Sequence, residues 1–193
     1  LTPLDIKIIC STHGPVWKEQ TSKAVDIYDQ LSRYEAKEGV VVVYGSMYGN
    51  TERMAEAVAQ GLVQNGIRNV VMHNVSVSDA SVILRDIFKY KGLIIGSPTY
   101  CNDLYPEIHS LLTKIEIRQV KKRDFAFFGS YSWAGITNKK LAEFGEKMKW
   151  RMIDFTVEEK MGLTENNYQA CIMLGRKTAE LLKTPESADP SCH

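Results

Sequence analysis

The chain has 193 residues, of which 44% are hydrophobic and 24% are charged, and its formal net charge is +1 at pH 7. This length fits one α/β domain with a short extension, and the composition excludes a disordered or collagen-like chain. The charge argues against a broad basic face, so neither nucleic acid nor an anionic membrane is expected as a partner.

Residues 1–38 precede the main pattern of the chain. They contain an apolar stretch at 5–10, a turn at 11–15 and a polar helix predicted over 17–36, and a domain boundary is expected at 38–39. The chain begins with Leu1 in place of methionine, and its first residues have the character of mid-protein sequence. We therefore expect this chain to be a part of a longer protein.

From residue 39 onward, short apolar runs alternate with segments of helical period, which indicates strand and helix units on a parallel sheet. Predicted strands occupy residues 40–44, 70–74, 92–96, 124–129 and 152–157. Predicted helices occupy residues 51–65, 80–88, 106–115, 138–148 and 167–182. Residues 184–193 are polar and contain two prolines, so they are expected to form a flexible tail.

Three of the predicted strands are nearly uninterrupted apolar runs, VVVVY, GLIIG and FAFFG. Strands that are covered by helices on both faces have this composition, so strands one, three and four are predicted to be central. Right-handed crossovers then give a doubly wound sheet. Ligands bind such sheets beyond the carboxyl ends of the strands, so functional residues are expected directly after these three strands.

The loop after the first strand suits an anion. Its residues are Ser46, Met47, Tyr48, Gly49, Asn50 and Thr51. Free N–H groups and the dipole at the start of the next helix favour negative charge, and the hydroxyls of Ser46 and Thr51 can donate hydrogen bonds. Gly49 lets the backbone turn closely around a phosphate.

This loop lacks both the Gly-x-x-x-x-Gly-Lys pattern of nucleotide hydrolases and the Gly-x-Gly-x-x-Gly pattern of dinucleotide-binding proteins. ATP and NAD are therefore disfavoured, and a monophosphate bound without a cation, as in FMN, is favoured. The alternative is that Asn50 or Thr51 only caps a helix after an ordinary turn.

The loops after strands three and four are both flanked by glycine and rich in aromatic residues. The candidate cofactor-binding residues are Ser97, Pro98, Thr99, Tyr100, Cys101 and Asn102, then Gly129, Ser130, Tyr131, Ser132, Trp133, Ala134 and Gly135. An isoalloxazine ring needs apolar faces to stack on and main-chain groups at its polar rim. Tyr100 and Trp133 are the predicted faces, and the backbone amides of 99–102 and 131–135 are the predicted rim contacts.

The segments Ser-Met-Tyr-Gly-Asn-Thr, Gly-Ser-Pro-Thr-Tyr and Phe-Gly-Ser-Tyr-Ser-Trp resemble the FMN-binding segments of the flavodoxin family, over residues 39–183. The resemblance implies an α/β flavodoxin-like three-layer sandwich, a five-stranded parallel sheet in the order 2-1-3-4-5, and bound FMN that carries electrons without acid or base catalytic side chains. Flavodoxin is itself a standard example of FMN at such a switch point. Cys101 and Ser132 depart from the pattern, because Asn and Gly are expected there.

Residues 8–17, Ile-Ile-Cys-Ser-Thr-His-Gly-Pro-Val-Trp, resemble the hinge of flavodiiron proteins, where a metallo-β-lactamase-like domain ends and the flavodoxin domain begins. This implies that residues 1–38 are a remnant or linker and that His13 is the last ligand of the family's diiron site. The family's other ligands, including a His-x-Glu-x-Asp-His cluster, are absent, and His73, His109 and His193 offer no substitute. Iron is therefore expected only in the full-length protein.

The resemblance further implies that the full-length protein is an oxidoreductase that reduces oxygen or nitric oxide at its diiron site. FMN would supply the electrons, with rubredoxin or a flavin reductase as the donor, and the protein would form a homodimer. This chain alone is expected to be an electron carrier. Two alternatives stay open: an FMN-dependent NAD(P)H:quinone reductase, which would require an open pocket over the flavin, and a structural module without flavin.

The apolar runs and the cysteines of the chain indicate the cellular compartment in which it is expected. No apolar run approaches the ~20 residues that cross a bilayer, and no secretory signal is evident, so a cytoplasmic protein is predicted. The cysteines, Cys10, Cys101, Cys171 and Cys192, include no Cys-x-x-Cys pair. Reduced thiols are therefore expected, with neither a zinc site nor a disulfide framework.

Overall fold

The chain divides into two compact units, Leu1–Ala36 and Lys37–His193. The structure, a computed structural model, describes residues 4–161 and 163–185. Most of the predicted tail at 184–193 lies outside the described residues, as do Cys192 and His193. The identity of the first unit as a remnant or linker stays a prediction.

In the first unit, helix α1 spans Thr21–Ser32 and is shorter at both ends than the predicted 17–36. Trp17 is not helical because its backbone pairs with Ile9 in an isolated antiparallel bridge, with N···O distances of 2.9 and 3.0 Å. Gln20, directly before the helix, has a left-handed backbone with φ 55°. The helix therefore cannot extend back to Trp17, and the predicted bounds are wrong.

The second unit is built on a parallel sheet with, among the described residues, seven strands. These are β1 Lys37–Tyr44, β2 Val70–Asn74, β3 Tyr90–Tyr100, β4 Asp103–Leu104, β5 Asp124–Tyr131, β6 Arg151–Met152 and β7 Val157–Lys160. The strand order is β2-β1-β3-β5-β6, and β7 also pairs with β5. The predicted order 2-1-3-4-5 is confirmed, and the short β4 adds an antiparallel partner to the end of β3.

The predicted fifth strand at 152–157 is wrong in its bounds, because two short strands replace it. Met152 lies opposite Phe125 of β5, and Val157 lies opposite Phe128. The edge segment therefore advances five residues while β5 advances three, so the chain has to leave the ladder between β6 and β7. Irregularities of this kind are common at sheet edges.

The helices of the second unit agree with the predicted ones to within two residues at each end. They are α2 Asn50–Gln64, α3 Ala80–Lys89, α4 Pro106–Ile117, α5 Thr137–Met148 and α6 Glu165–Lys183. Local sequence explains two of the helix starts: the Asp79 carboxylate accepts a hydrogen bond from the Ser81 N–H, and Pro106 is tolerated in the first turn of α4.

The central strands alternate between two apolar cores, as the strand period requires. Val41 and Val43 of β1 face the core formed with α3, α4 and α5, whereas Val40 and Val42 face the core formed with α2 and α6. The sheet is thus covered on both faces, and the predicted three-layer sandwich is confirmed. No helix in residues 4–161 and 163–185 is long and apolar enough to cross a membrane.

The described cysteines, Cys10, Cys101 and Cys171, are all free. Cys171 of α6 is fully buried, and burial raises the pKa of its thiol to about 12. This thiol is therefore kept protonated and serves as a small apolar core residue.

Helices α2 and α6 approach each other closely at two glycines. A Cβ atom built on Gly175 would lie 2.2 Å from the carbonyl oxygen of Val58, and one built on Gly61 would lie 2.2 Å from that of Ile172. Both obstacles are backbone atoms, which cannot rotate away. The contact that anchors α2, and with it the loop before α2, therefore depends on glycine.

We predict that Gly175→Ala destabilises the second unit by roughly 2–3 kcal/mol, because the added methyl group forces the two helices apart. Without this clash, alanine would stabilise a helix interior by about 1 kcal/mol, so the sign of the change is diagnostic. Chemical denaturation monitored by circular dichroism measures the effect. Gln169→Ala, at an exposed position of the same helix, is the control, and an equally or more stable Gly175→Ala protein would contradict the packing argument.

Candidate functional site

The three predicted loops, 46–51, 97–102 and 129–135, line one cleft at the carboxyl edge of the sheet. We call them the first, second and third loops, although β3 and β5 extend past their predicted ends and include the first residues of the second and third. The cleft residues are Ser46, Met47, Tyr48, Asn50, Thr51, Pro98, Thr99, Ser130, Tyr131, Ser132 and Met161. All except Met161 are among the residues predicted from sequence. The remaining predicted cofactor-binding residues lie in the same loops but do not line this cleft.

The first loop leaves the start of α2 open. The residue before the helix is Gly49, with φ 82°, and no side chain caps the helix. Neither Asn50 nor Thr51 therefore acts as the N-cap, so the capping alternative is not what this loop does. A Cβ atom built on Gly49 would meet nothing within 4 Å, so the space beside this turn is free.

The first and third loops are joined by a buried pair of hydroxyl groups. The oxygens of Thr51 and Ser130 lie 2.9 Å apart, and the two residues are 1% and 6% exposed. In the first loop, the Ser46 hydroxyl accepts a hydrogen bond from the Gly49 N–H at 3.1 Å. Three hydroxyl groups therefore stand around the open end of α2.

The second loop is a tight hairpin. Thr99 pairs with Leu104 and Tyr100 with Asp103, which leaves Cys101 and Asn102 as a two-residue turn. Both turn residues have positive φ values, 48° and 56°. This is the backbone of a type I′ turn, which directs the chain sharply back along the strand.

Ser97 is a predicted site residue that points away from the cleft. Its buried hydroxyl donates to the Pro98 carbonyl and accepts from the Tyr105 N–H, both at 2.9 Å. The Tyr105 ring packs under Gly45, where a Cβ atom would come within 2.4 Å of it, and it meets the Tyr100 ring edge-on at 6.4 Å. Ser97 and Tyr105 thus support the loops from beneath.

An ion pair ties the second loop to α5. Lys140 Nζ donates to Asp103 Oδ1 at 2.7 Å, and the Leu104 N–H donates to the same oxygen at 2.6 Å. These two hydrogen bonds, that from Lys140 first, hold the pKa of the Asp103 carboxyl below its ordinary value. The pair is partly exposed, so its main effect is on the position of the loop.

The third loop is linked to the second by Thr99, whose hydroxyl accepts from the Ile136 N–H at 3.3 Å and lies 3.2 Å from the Thr137 hydroxyl. Trp133, at the tip of the third loop, is 94% exposed, and Tyr48 in the first loop is 86% exposed. Large aromatic side chains are thus left uncovered around the cleft.

The loop of residues 10–16 in the first unit carries His13. The Ile9–Trp17 bridge closes this loop, and His13 lines an open groove with Trp17 and Tyr28. The part of the chain that the structure describes contains no group of three or more His, Cys, Asp or Glu side chains that could hold a metal. The metal role of His13 in a full-length protein stays a prediction.

Sequence reasoning missed several residues of the site. Met161 follows the last strand of the sheet, so the rule that located the other loops also points to it, but the predicted strand ended too early. Tyr105 and Thr137 support the loops from positions inside or beside other elements. Only their proximity in the folded chain identifies them.

One further hydrogen bond fixes an acidic side chain close to the first loop. The Tyr44 hydroxyl donates to Glu52 Oε1 at 2.8 Å, which holds the only acidic side chain in the first turn of α2. Burial, followed by this hydrogen bond to Glu52, raises the pKa of Tyr44 to about 12.

Comparison with known proteins matches residues 42–175 to the Flavodoxin family. The nitric oxide reductase of Moorella thermoacetica is 31% identical over 91% of this chain and 44% of its own length. Among solved structures, the rubredoxin oxygen:oxidoreductase of Desulfovibrio gigas has a TM-score of 0.85 and 28% identity, over 92% of this chain and 44% of that one. The flavodiiron protein of Giardia intestinalis has a TM-score of 0.78 and 25% identity, over 92% and 45%.

These matches have two consequences. They confirm the resemblance to flavodiiron proteins and the flavodoxin-like fold. The chain also spans less than half of the length of curated relatives that it matches.

The original chain should lose stability at alkaline pH when Tyr44 ionises, and we predict that the Tyr44→Phe variant does not show this loss. Because the pKa of Tyr44 is raised from 10 to about 12 on folding, its contribution is fully present below pH 10 and is lost as pH rises to about 12. The free energy of unfolding of the original chain should therefore fall relative to that of Tyr44→Phe by about 2–3 kcal/mol between pH 9 and 12.

Urea denaturation across this range measures the difference. Glu52→Gln, which removes the acceptor's charge, should give an intermediate slope. Parallel pH profiles for the original chain and Tyr44→Phe would show that Tyr44 is not perturbed.

Proposed function

The chain belongs to the flavodoxin family, and we propose that its cleft binds FMN and that the chain is an electron-transfer domain. The observation that carries the proposal is the convergence of three loops on one cleft that has an open helix start at one end and exposed aromatic residues around it. When bound, FMN supplies an isoalloxazine ring that takes up and releases electrons.

The phosphate group of FMN fits the first loop. The uncapped N–H groups at the start of α2 are donors without side-chain partners, and the helix dipole favours an anion there. Ser46 and Thr51 add hydroxyl groups that can turn their hydrogens toward phosphate oxygens. Tyr44 fixes the position of the Glu52 carboxylate in the same turn by a hydrogen bond.

The flavin ring fits the second and third loops. Tyr100, directly before the turn of the second loop, and Trp133, at the tip of the third, are exposed aromatic residues that could stack on the ring. The backbone of the second loop turns in a hairpin, and that of the third loop passes from Ser130 to Ile136 beside the cleft. Their N–H and C=O groups are the proposed partners of the polar rim of the ring.

We place the chain within a longer oxidoreductase. The relatives named as a nitric oxide reductase and an oxygen:oxidoreductase are more than twice as long as this chain, so the proposed parent contains a further, diiron-binding domain. Within that parent, FMN would pass electrons to the diiron site for reduction of nitric oxide or oxygen. Rubredoxin or a flavin reductase is the proposed donor, a homodimer the proposed assembly and the cytoplasm the proposed location.

An anaerobic redox titration of the FMN-loaded protein tests the function. Two separate one-electron reductions are expected for an electron carrier, and one two-electron step together with NAD(P)H-dependent quinone reduction would favour the quinone reductase instead. If the chain does not bind FMN at micromolar concentration, both the electron carrier and the quinone reductase are refuted, and the structural module without flavin is the remaining alternative.

We predict that Thr51→Val weakens FMN binding about tenfold. The substitution keeps the volume of the side chain but removes a hydroxyl group at the phosphate loop and leaves Ser130 without its buried partner, which together cost about 1.4 kcal/mol or more. Titration of the apoprotein with FMN, followed by quenching of flavin fluorescence, measures the dissociation constant.

The matched control is Thr113→Val, which makes the same change on the exposed face of α4. It should leave FMN affinity unchanged. Equal affinities for the original chain and Thr51→Val would exclude the first loop as the phosphate site.

A further inference from the structure

Glu158 of β7 reaches the end of the third loop from a neighbouring strand. It lies opposite Gly129 in the β5–β7 register, and its Oε1 atom accepts a hydrogen bond from the Asn138 N–H at 3.2 Å. Asn138 is in the first turn of α5, which follows the loop directly. One carboxylate is therefore placed between the end of β5 and the start of α5.

The start of α5 needs a partner from outside its own segment. The residue before the helix is Ile136, which has no side-chain oxygen and makes no cap. A carboxylate at a helix start satisfies free N–H groups and opposes the positive end of the helix dipole. Glu158 supplies this group from 20 residues away, so it fixes the point at which the third loop becomes a helix.

Gly135 makes room for the Glu158 side chain, and Gly129 makes room for Thr137, the first residue of α5, with Glu158 close by. A Cβ atom built on Gly135 would lie 2.7 Å from Glu158 Cδ. One built on Gly129 would meet Thr137 Cβ first, at 2.7 Å, and Glu158 Oε1 at 3.2 Å. Neither glycine has a φ value in the left-handed region, so glycine is required here for space and not for backbone conformation. The Glu158 carboxylate therefore lies against Gly135, directly before α5, and near Gly129 at the end of β5.

We propose that Glu158 is a positioning residue of the flavin site, which holds the third loop in the shape that receives the ring. The inference rests on the proposed function, since it concerns FMN binding at the same cleft. Ser130, Tyr131 and Ser132 lie between the two glycines and line the cleft, so a shift at either end of the loop moves them. Glu158 itself does not line the cleft and acts only through the loop.

The first experiment compares FMN dissociation constants of three variants with that of the original chain. Glu158→Ala, which removes the acceptor, should weaken binding about tenfold. Glu158→Gln retains an oxygen that can accept from Asn138, so its affinity should stay within about threefold of the original. Glu159→Gln removes a charge from the next residue of the same strand, whose side chain is directed to the opposite face, and should not weaken binding.

A double-mutant cycle then tests the contact itself. Gly135→Ala should weaken FMN binding in the original chain, because the new methyl group meets the carboxylate. In the Glu158→Ala background the same change should have little effect, because the obstacle is gone. Thermal unfolding of each apoprotein verifies that the variants are folded. If Glu158→Ala does not fold, the FMN affinities of Glu158→Gln and Gly135→Ala test the proposal instead.

The outcomes separate this inference from the proposed function. If the original chain binds no FMN, the function fails and the inference with it. If the original chain binds FMN but Glu158→Ala binds equally well, or the two substitutions at Glu158 and Gly135 are additive, only the positioning role is refuted. Equal losses in Glu158→Gln and Glu158→Ala would also refute it, because the hydrogen-bond acceptor would then not be what matters.

Discussion

The parallel arrangement of β1, β3 and β5 is the constraint on which the rest of the structure depends. These strands are covered by helices on both faces, so they have to lie side by side in the centre of the sheet. Tyr44 lies opposite Gly96, and Gly96 lies opposite Phe128, so the three strands end at the same edge. Three loops that are far apart in sequence therefore begin from neighbouring points of one sheet edge.

Loops that begin at neighbouring strand ends do not by themselves form a binding site. Three unconnected loops would lose conformational entropy when a ligand orders them, and this loss would weaken binding. Here short side chains join the loops in advance: Thr51 contacts Ser130, and Thr99 contacts the Ile136 N–H. Each such hydrogen bond is worth only about 1 kcal/mol, but a buried hydroxyl that loses its partner costs more. The connections are therefore maintained, and the cleft keeps its shape without a ligand.

Elements whose position depends on local residue chemistry or on the strand period could be predicted from the sequence. Elements whose bounds depend on contacts with distant segments could not. The apolar runs of the central strands, Pro106 and the glycine at 49 are local signals, and they locate the sheet, a helix start and the first loop correctly. The split of β6 and β7 depends on register with β5, and the start of α1 depends on the Ile9–Trp17 bridge. Glu158 has no local signature at all, because its partners come from β5 and α5.

The two departures from the flavodoxin pattern have different physical meanings. Cys101 has φ 48° in a two-residue turn, a conformation that Asn tolerates better than other non-glycine residues, so cysteine raises the energy of the turn. The turn persists because Asp103 is bound by Lys140 and because Ser97 binds the Tyr105 N–H beyond the hairpin. Ser132 is exposed and has no positive φ, so the backbone there does not require glycine. The first departure therefore costs local stability, whereas the second costs nothing in backbone conformation.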